Sequence, residues 1–254
     1  MKGTNIVSWI SIVLFILLFS TPGRSQILIS ILLGDKLNSG AIEFGITGGL
    51  NRTHMFPMKE TTGLNNFNLG FYFDFRLKKD LPLYIYTGCL VKSEMGASDI
   101  SVYSLDDPNF DSLMADGYIN RIIPYFNVPV TVKYRFKNNI FVLGGAQLGL
   151  MNRAVDEFTN EINNKDDIIY KEYTKKQYNR IDAGATIGAG YKFKYGAMMN
   201  IGIRYYYGLT NVYKDDFKIE YGHTTNSSLY IFAEIPIGAE RKTRPPKEKN
   251  KKNK

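Results

Sequence analysis

From about residue 41 to residue 238 the chain repeats one pattern: stretches of about ten residues in which every second side chain is apolar, joined alternately by short turns and long polar connections. A backbone of period two sends alternate side chains to opposite faces, so each stretch reads as a β-strand with one apolar and one polar face. Eight stretches carry the pattern, near 41–54, 67–77, 83–96, 121–136, 139–154, 176–193, 198–211 and 227–238. In the second, Phe67, Leu69, Phe71, Phe73, Phe75 and Leu77 share one face, opposite Asn68, Gly70, Tyr72, Asp74 and Arg76. In the seventh, Ile201, Ile203, Tyr205, Tyr207 and Leu209 oppose Asn200, Gly202, Arg204, Tyr206 and Gly208. The fifth is apolar on both faces around Phe141, Val142 and Leu143. Strands can cross lipid only in a closed sheet that pairs every backbone group, with apolar side chains outward and polar ones inward. The pattern therefore predicts an all-β fold: an eight-stranded antiparallel up-and-down transmembrane β-barrel over residues 41–238.

The connections give a direction. Lys78-Lys79-Asp80, Lys137-Asn138 and Lys194-Tyr195-Gly196-Ala197 are short, whereas those near 55–66, 97–120, 155–175 and 212–226 are long and polar. Outer-membrane barrels keep short turns in the periplasm and long loops outside, which places both termini in the periplasm. An even number of strands independently requires the termini to share a side. Pro124, Pro129 and Pro236 interrupt otherwise good strands; each lacks a ladder donor and is expected at a bulge, a strand end or a weakly paired rung.

Outside the barrel, Lys2 and the apolar run Ile6–Phe19 precede a break at Thr21-Pro22-Gly23-Arg24, with small residues Gly23 and Ser25 placed for cleavage before Gln26. The expectation is a signal peptide over 1–25 and a short periplasmic segment over 26–40. A retained anchor, extended by apolar Ile27–Leu33, would need a spanning helix with that Pro-Gly-Arg break in its interior. At the other end, Glu240–Lys254 holds eight Lys or Arg against two Glu, so six of the chain's eight net positive charges lie there. Residues 239–254 have nothing apolar to bury beyond one alanine and are expected to be a disordered basic periplasmic tail. A basic tail on a nearly neutral barrel gives no reason to expect a nucleic-acid partner. The one cysteine, Cys89, allows no intrachain disulfide; it falls on the outward face, where inert packing is expected.

Tyr125-Phe126-Asn127-Val128-Pro129-Val130 with Lys133-Tyr134, Ile181-Asp182-Ala183-Gly184 running to Gly188-Ala189-Gly190-Tyr191, and Ile203-Arg204-Tyr205 with Gly208-Leu209-Thr210-Asn211 together resemble the PorT-type outer-membrane β-barrel family. The resemblance covers most of 41–238 and implies an eight-stranded barrel in the outer membrane of a Gram-negative bacterium. It also brings an association with a protein-secretion system through the family's namesake. Its motifs shape strands and do not designate a reactive site. The last strand departs from the family, ending Ile235-Pro236-Ile237-Gly238 where a terminal aromatic is usual.

With the apolar face outward, the lumen should collect Glu43, Asp74, Arg76, Lys92, Glu94, Lys133, Arg135, Asp182, Lys192, Arg204 and Glu234. Eight strands enclose an interior just wide enough for side chains, and opposite charges there should pair into a plug; the alternative is a small passive pore. Tyr205, Tyr207, Phe126, Tyr134, Phe136, Tyr191 and Phe193 fall on outward faces and suit membrane contact. His54 and His223 sit at the long-loop ends of strands that become neighbours on closure, and Ser227 and Ser228 follow His223. A rim metal site or a lipid-modifying enzyme is geometrically open, but two histidines do not assemble a base, a nucleophile and an orienting group. Asp99, Asp106, Asp107, Asp111 and Asp116 make the 97–120 connection acidic without the regular spacing of a calcium loop, so solvation is expected. The expected protein is thus a monomeric, non-catalytic adaptor or structural element without cofactor or metal. Its partners are outer-membrane lipid and an envelope protein reached through the outer loops or the basic tail.

Overall fold

The structure, a computed structural model, describes residues 41–58, 61–78, 80–162, 165–196, 198–215 and 222–237; the expected leader, the 26–40 segment and the basic tail lie outside the described residues. The strands are β1 (Ile42–Phe56), β2 (Leu64–Arg76), β3 (Leu83–Lys92), β4 (Glu94–Ser101), β5 (Tyr118–Arg135), β6 (Ile140–Met151), β7 (Val155–Ile162), β8 (Lys165–Tyr173), β9 (Ile181–Lys192), β10 (Asn200–Gly208) and β11 (Thr225–Pro236). A short helix, α1 (Pro108–Leu113), lies between β4 and β5.

Eight of these strands close a barrel. β1, β2, β3, β5, β6, β9, β10 and β11 pair antiparallel in that order, and β11 pairs back onto β1 from Gly45↔Pro236 to Phe56↔Thr225. Alternation sorts the faces as the sequence predicts: Ile201, Ile203, Tyr205 and Tyr207 are exposed on the outer face of β10, while Asn200, Arg204 and Tyr206 are buried inside. All seven aromatics expected to face outward do so. Two lumenal glycines make room for rings: a Cβ on Gly190 would lie 2.4 Å from Cζ of Phe141, and one on Gly202 2.7 Å from Cζ of Phe232.

The prolines fall where a missing donor costs least. β3 and β5 pair at Thr87↔Val130 and again at Leu90↔Asn127, and Pro129 occupies the gap between those rungs. Pro124 stands at the junction where the partner of β5 changes from β3 to β4, and Pro236 ends β11.

The long-loop end differs from the sequence expectation. Residues 97–120 and 155–175, read as polar loops, contain β4, α1, β7 and β8 and form a folded cap. The strand expected at 83–96 breaks at Ser93 into β3 and β4, the one expected at 139–154 stops at Met151, and the one expected at 176–193 starts at Ile181 after a 3₁₀ turn at Lys175–Gln177. β5 runs through both layers as an 18-residue strand, paired with β3 and β6 in the barrel and with β4 and β7 above it. β8 pairs with β7. The connection folds because its apolar residues meet over the barrel mouth: Met55, Met95, Ile100, Met114, Ile119, Ile123 and Phe158 belong to one buried cluster. Asp107 starts α1, its carboxylate accepting from the backbone N–H of Asn109 and Phe110, with Pro108 in the first turn.

Candidate functional site: a filled lumen under a folded cap

At the short-turn end the lumen is packed with paired charges. Lys133 donates to Asp74 at 2.7 Å and lies 3.7 Å from Glu234; all three side chains are fully buried. Arg135 lies 3.7 Å from Asp74, Arg204 3.8 Å from Glu234, and Lys192 pairs with Glu43. Neutral donors add to the carboxylates: Asn200 donates to Glu234 at 2.8 Å and the Tyr72 hydroxyl to Glu43 at 3.1 Å. Rings fill the remaining space around the cations, with the Lys133 ammonium 4.5 Å from the Phe141 centroid and the Arg204 guanidinium 4.6 Å from that of Tyr86. A buried charge without a partner is costly, and interlocking four cations with three carboxylates is how this interior tolerates them.

Asp182 stands nearer the cap, accepting from Thr210 at 3.0 Å and Asn226 at 3.2 Å. Glu94 is half-buried at the start of β4, its carbonyl accepting from Asn51, and Arg76 is half-buried at the end of β2. Lys92 corrects the sequence reading, because it is exposed on the outer side. A bulge between Leu69 and Gly70 in the β2–β3 ladder pairs Gly70 with Leu90 but Leu69 with Lys92, and the extra residue, Val91, turns Lys92 away from the lumen.

Between the charged layer and the cap, Gln147, Arg204, Tyr206 and Ser228 border a void of about 10 Å³, room for about one water. Side chains packed this closely leave little room for an aqueous path, as expected of eight strands. Protein inserted in planar bilayers is therefore expected to show no stable conductance, and reproducible single-channel steps from the intact barrel would contradict the packed lumen.

The cap has an ionic centre of its own. Arg121 donates to both carboxylate oxygens of Asp156, at 2.8 and 2.5 Å, and also to the Tyr213 hydroxyl. Its guanidinium lies 5.8 Å from the Tyr178 ring centroid and 5.7 Å from that of Tyr213. The Tyr103 hydroxyl donates to Asp156 at 3.1 Å. Burial works against the charge on Arg121, yet the hydrogen-bonded Asp156 carboxylate holds its pKa well above the ordinary value. Burial raises the Tyr178 and Tyr213 hydroxyls, and the Tyr213 hydroxyl accepts from Arg121 while Tyr178 contributes its ring face. The sequence reading missed this centre, although one signal was present: Arg121 stands between Ile119 and Ile123 on the inward face of a strand, a position that demands a buried partner.

The acidic connection is also more than solvated. Asp111 accepts from Ser104 at 2.5 Å and from the Leu105 N–H at 3.1 Å and fixes the turn before α1, while Asp99 accepts from Thr62 at 2.5 Å and ties the first long connection to β4. Asp106 and Asp116 remain exposed. The rim histidines are not brought together into a site. His54 stands opposite Ser227 in the ladder, where the Ser227 hydroxyl reaches the His54 carbonyl at 3.5 Å and not its ring. His223 is exposed before β11. Among the described residues no three His, Cys, Asp or Glu converge as metal ligands. Cys89 pairs across the ladder with Phe71, on the outer face.

A family model described as an outer membrane protein beta-barrel domain matches residues 34–214. Among solved structures, the chain is similar to Ail, the attachment invasion locus protein of Yersinia pestis, at 12% identity and a TM-score of 0.39, over 79% of this chain and 100% of that one. It is similar to Neisserial surface protein A at 12% identity and a TM-score of 0.35, over 78% and 97% of the two chains. The N-terminal β-barrel domain of Pseudomonas aeruginosa OprF matches at 11% identity and a TM-score of 0.25, over 76% and 97%. No curated protein matches the chain.

Proposed function

The chain belongs to the outer membrane protein beta-barrel domain family, which sets it in the outer membrane of a Gram-negative cell, and on that premise we propose that it is a non-catalytic adaptor displaying its cap at the cell surface. The short turns at one end and the cap at the other support an orientation with both termini in the periplasm. The PorT-type features of β5, β9 and β10 favour a place in a secretion or envelope complex. The basic residues of 241–254 would supply a periplasmic contact to an acidic partner or to anionic lipid headgroups.

The observation that carries this reading is the pairing of a filled lumen with a cap fixed by Arg121 and Asp156. A barrel whose lumen is filled with side chains and which holds a folded, ion-paired surface above itself is suited to presenting that surface. Long connections carry function more often than the strands that support them. A photo-crosslinker at Leu113, exposed on α1 in the cap, should capture a discrete protein adduct in native membranes. The same group at Val142, on the outer face of β6, should capture only lipid. If Leu113 gives no protein adduct in cells where the chain is abundant at the surface, the adaptor reading fails.

A further inference from the structure

Exposed charge in the cap is clustered locally, acidic around α1 and basic at the base of the β7–β8 hairpin, whose own strands also carry Asp156, Glu157 and Glu172. Asp106, Asp107, Asp111 and Asp116 cluster around α1. Basic residues gather instead where the β7–β8 connection returns to the barrel: Arg153, Lys175, Lys176 and Arg180, all exposed. Backbone hydrogen bonds hold these segments together, from the Met151 N–H to the Arg180 carbonyl and from the Thr174 N–H to the Ala154 carbonyl. Lys171, ion-paired to Glu157 at 2.8 Å, is close enough to Arg153 for their charges to interact. Among the described residues, none of the four lies within ion-pair distance of a carboxylate.

Their height on the barrel is fixed by the strands beneath. Leu150 and Ile181 face each other in the β6–β9 ladder and are both exposed on the outer face. Arg180 directly precedes Ile181, and Arg153 follows Leu150 by three residues, about 10 Å of strand at most. The four charges therefore form a ledge just above the apolar band, at the level of lipid headgroups. Tyr173, 70% exposed, projects from the same segment, an amphipathic ring of the kind that settles at that interface.

We propose that Arg153, Lys175, Lys176 and Arg180 form a phosphate-binding ledge that holds the headgroup of a phosphorylated glycolipid of the outer leaflet. Like charges crowded on one rim repel one another, and an anion with several acceptor oxygens relieves this. Guanidinium groups match the phosphate oxygens in paired fashion while lysines add point charge. The inference rests on the orientation given above, with the cap outside the cell.

The test uses the full chain purified in detergent, with lipid A or dephosphorylated lipid A added and the bound fraction read by native mass spectrometry. The unmodified protein should hold lipid A at a concentration about tenfold lower, or better, than the variant Arg153→Gln/Lys175→Gln/Lys176→Gln/Arg180→Gln. Salt should erase the difference, and dephosphorylated lipid A should bind both proteins alike. Lys175→Gln/Lys176→Gln, confined to a surface turn, keeps the barrel's packing and should show an intermediate loss. Equal lipid A binding by the unmodified protein and both variants, or equal binding of the two lipids by the unmodified protein, overturns the proposal. Orientation is read separately: Lys176→Cys should react with a membrane-impermeant maleimide on intact cells, so an inverted barrel is distinguished from a ledge that ignores phosphate.

Discussion

Replacing Lys133 with Met should destabilise the folded barrel by about 3 to 5 kcal/mol, measured by equilibrium urea unfolding in lipid vesicles. The ammonium is the shared partner of two fully buried carboxylates, Asp74 at 2.7 Å and Glu234 at 3.7 Å. Methionine keeps most of the volume and the contact with Phe141 but leaves both acids short of a counter-charge. Arg135 and Arg204 remain near them, at 3.7 and 3.8 Å, too distant for good hydrogen bonds to substitute. The double variant Lys133→Met/Asp74→Leu removes a charge of each sign and should recover much of the loss. An unchanged unfolding midpoint in the single variant would show that the lumen does not depend on this interlock.

The second large effect is expected in the cap. Arg121→Leu should cost about 3 to 5 kcal/mol of local stability, because Asp156 stays fully buried with the Tyr103 hydroxyl as its remaining donor. The barrel below keeps all its rungs, so the change should appear as proteolytic nicking within residues 97–124 and 152–180 while the strands stay protected. Arg121→Leu/Asp156→Leu should resist the protease far better than Arg121→Leu alone. If the single variant is cut no faster than the parent, the cap is held by its apolar cluster without the ion pair.

Why the barrel was legible and the cap was not follows from what surrounds each. Lipid imposes one environment on every outward position, so alternation in Phe67–Leu77 or Ile201–Leu209 declares both strand and face. The lumen charges could then be placed by elimination. Lys92 escaped because a single bulge shifts phase at the end of β3, and nothing in the residue types announces it. The cap has water on one side and a self-made core on the other. Its inward set mixes Ile119, Ile123 and Phe158 with Arg121, Asp156 and Thr159, which dilutes the period-two signal. The five aspartates of 97–120 pointed to solvent, although Asp107 caps α1, Asp111 accepts within a turn and Asp99 holds Thr62 of a distant connection. The pairing of Arg121 with Asp156 joins residues 35 apart, beyond the reach of local pattern.

The ionic centre of the cap also sets an order in time. Arg121 meets the Tyr213 hydroxyl 92 residues later in the chain, and the apolar cluster takes Met55 from β1 and Tyr206 from β10. These residues cannot gather while the sheet is an open ribbon, since β1 and β10 become near neighbours only through β11. The β4–β5–β7–β8 part of the cap can pair before closure, but its core is complete only once the barrel has closed, so a binder that needs both Met55 and Tyr206 in place would recognise finished barrels and ignore open precursors.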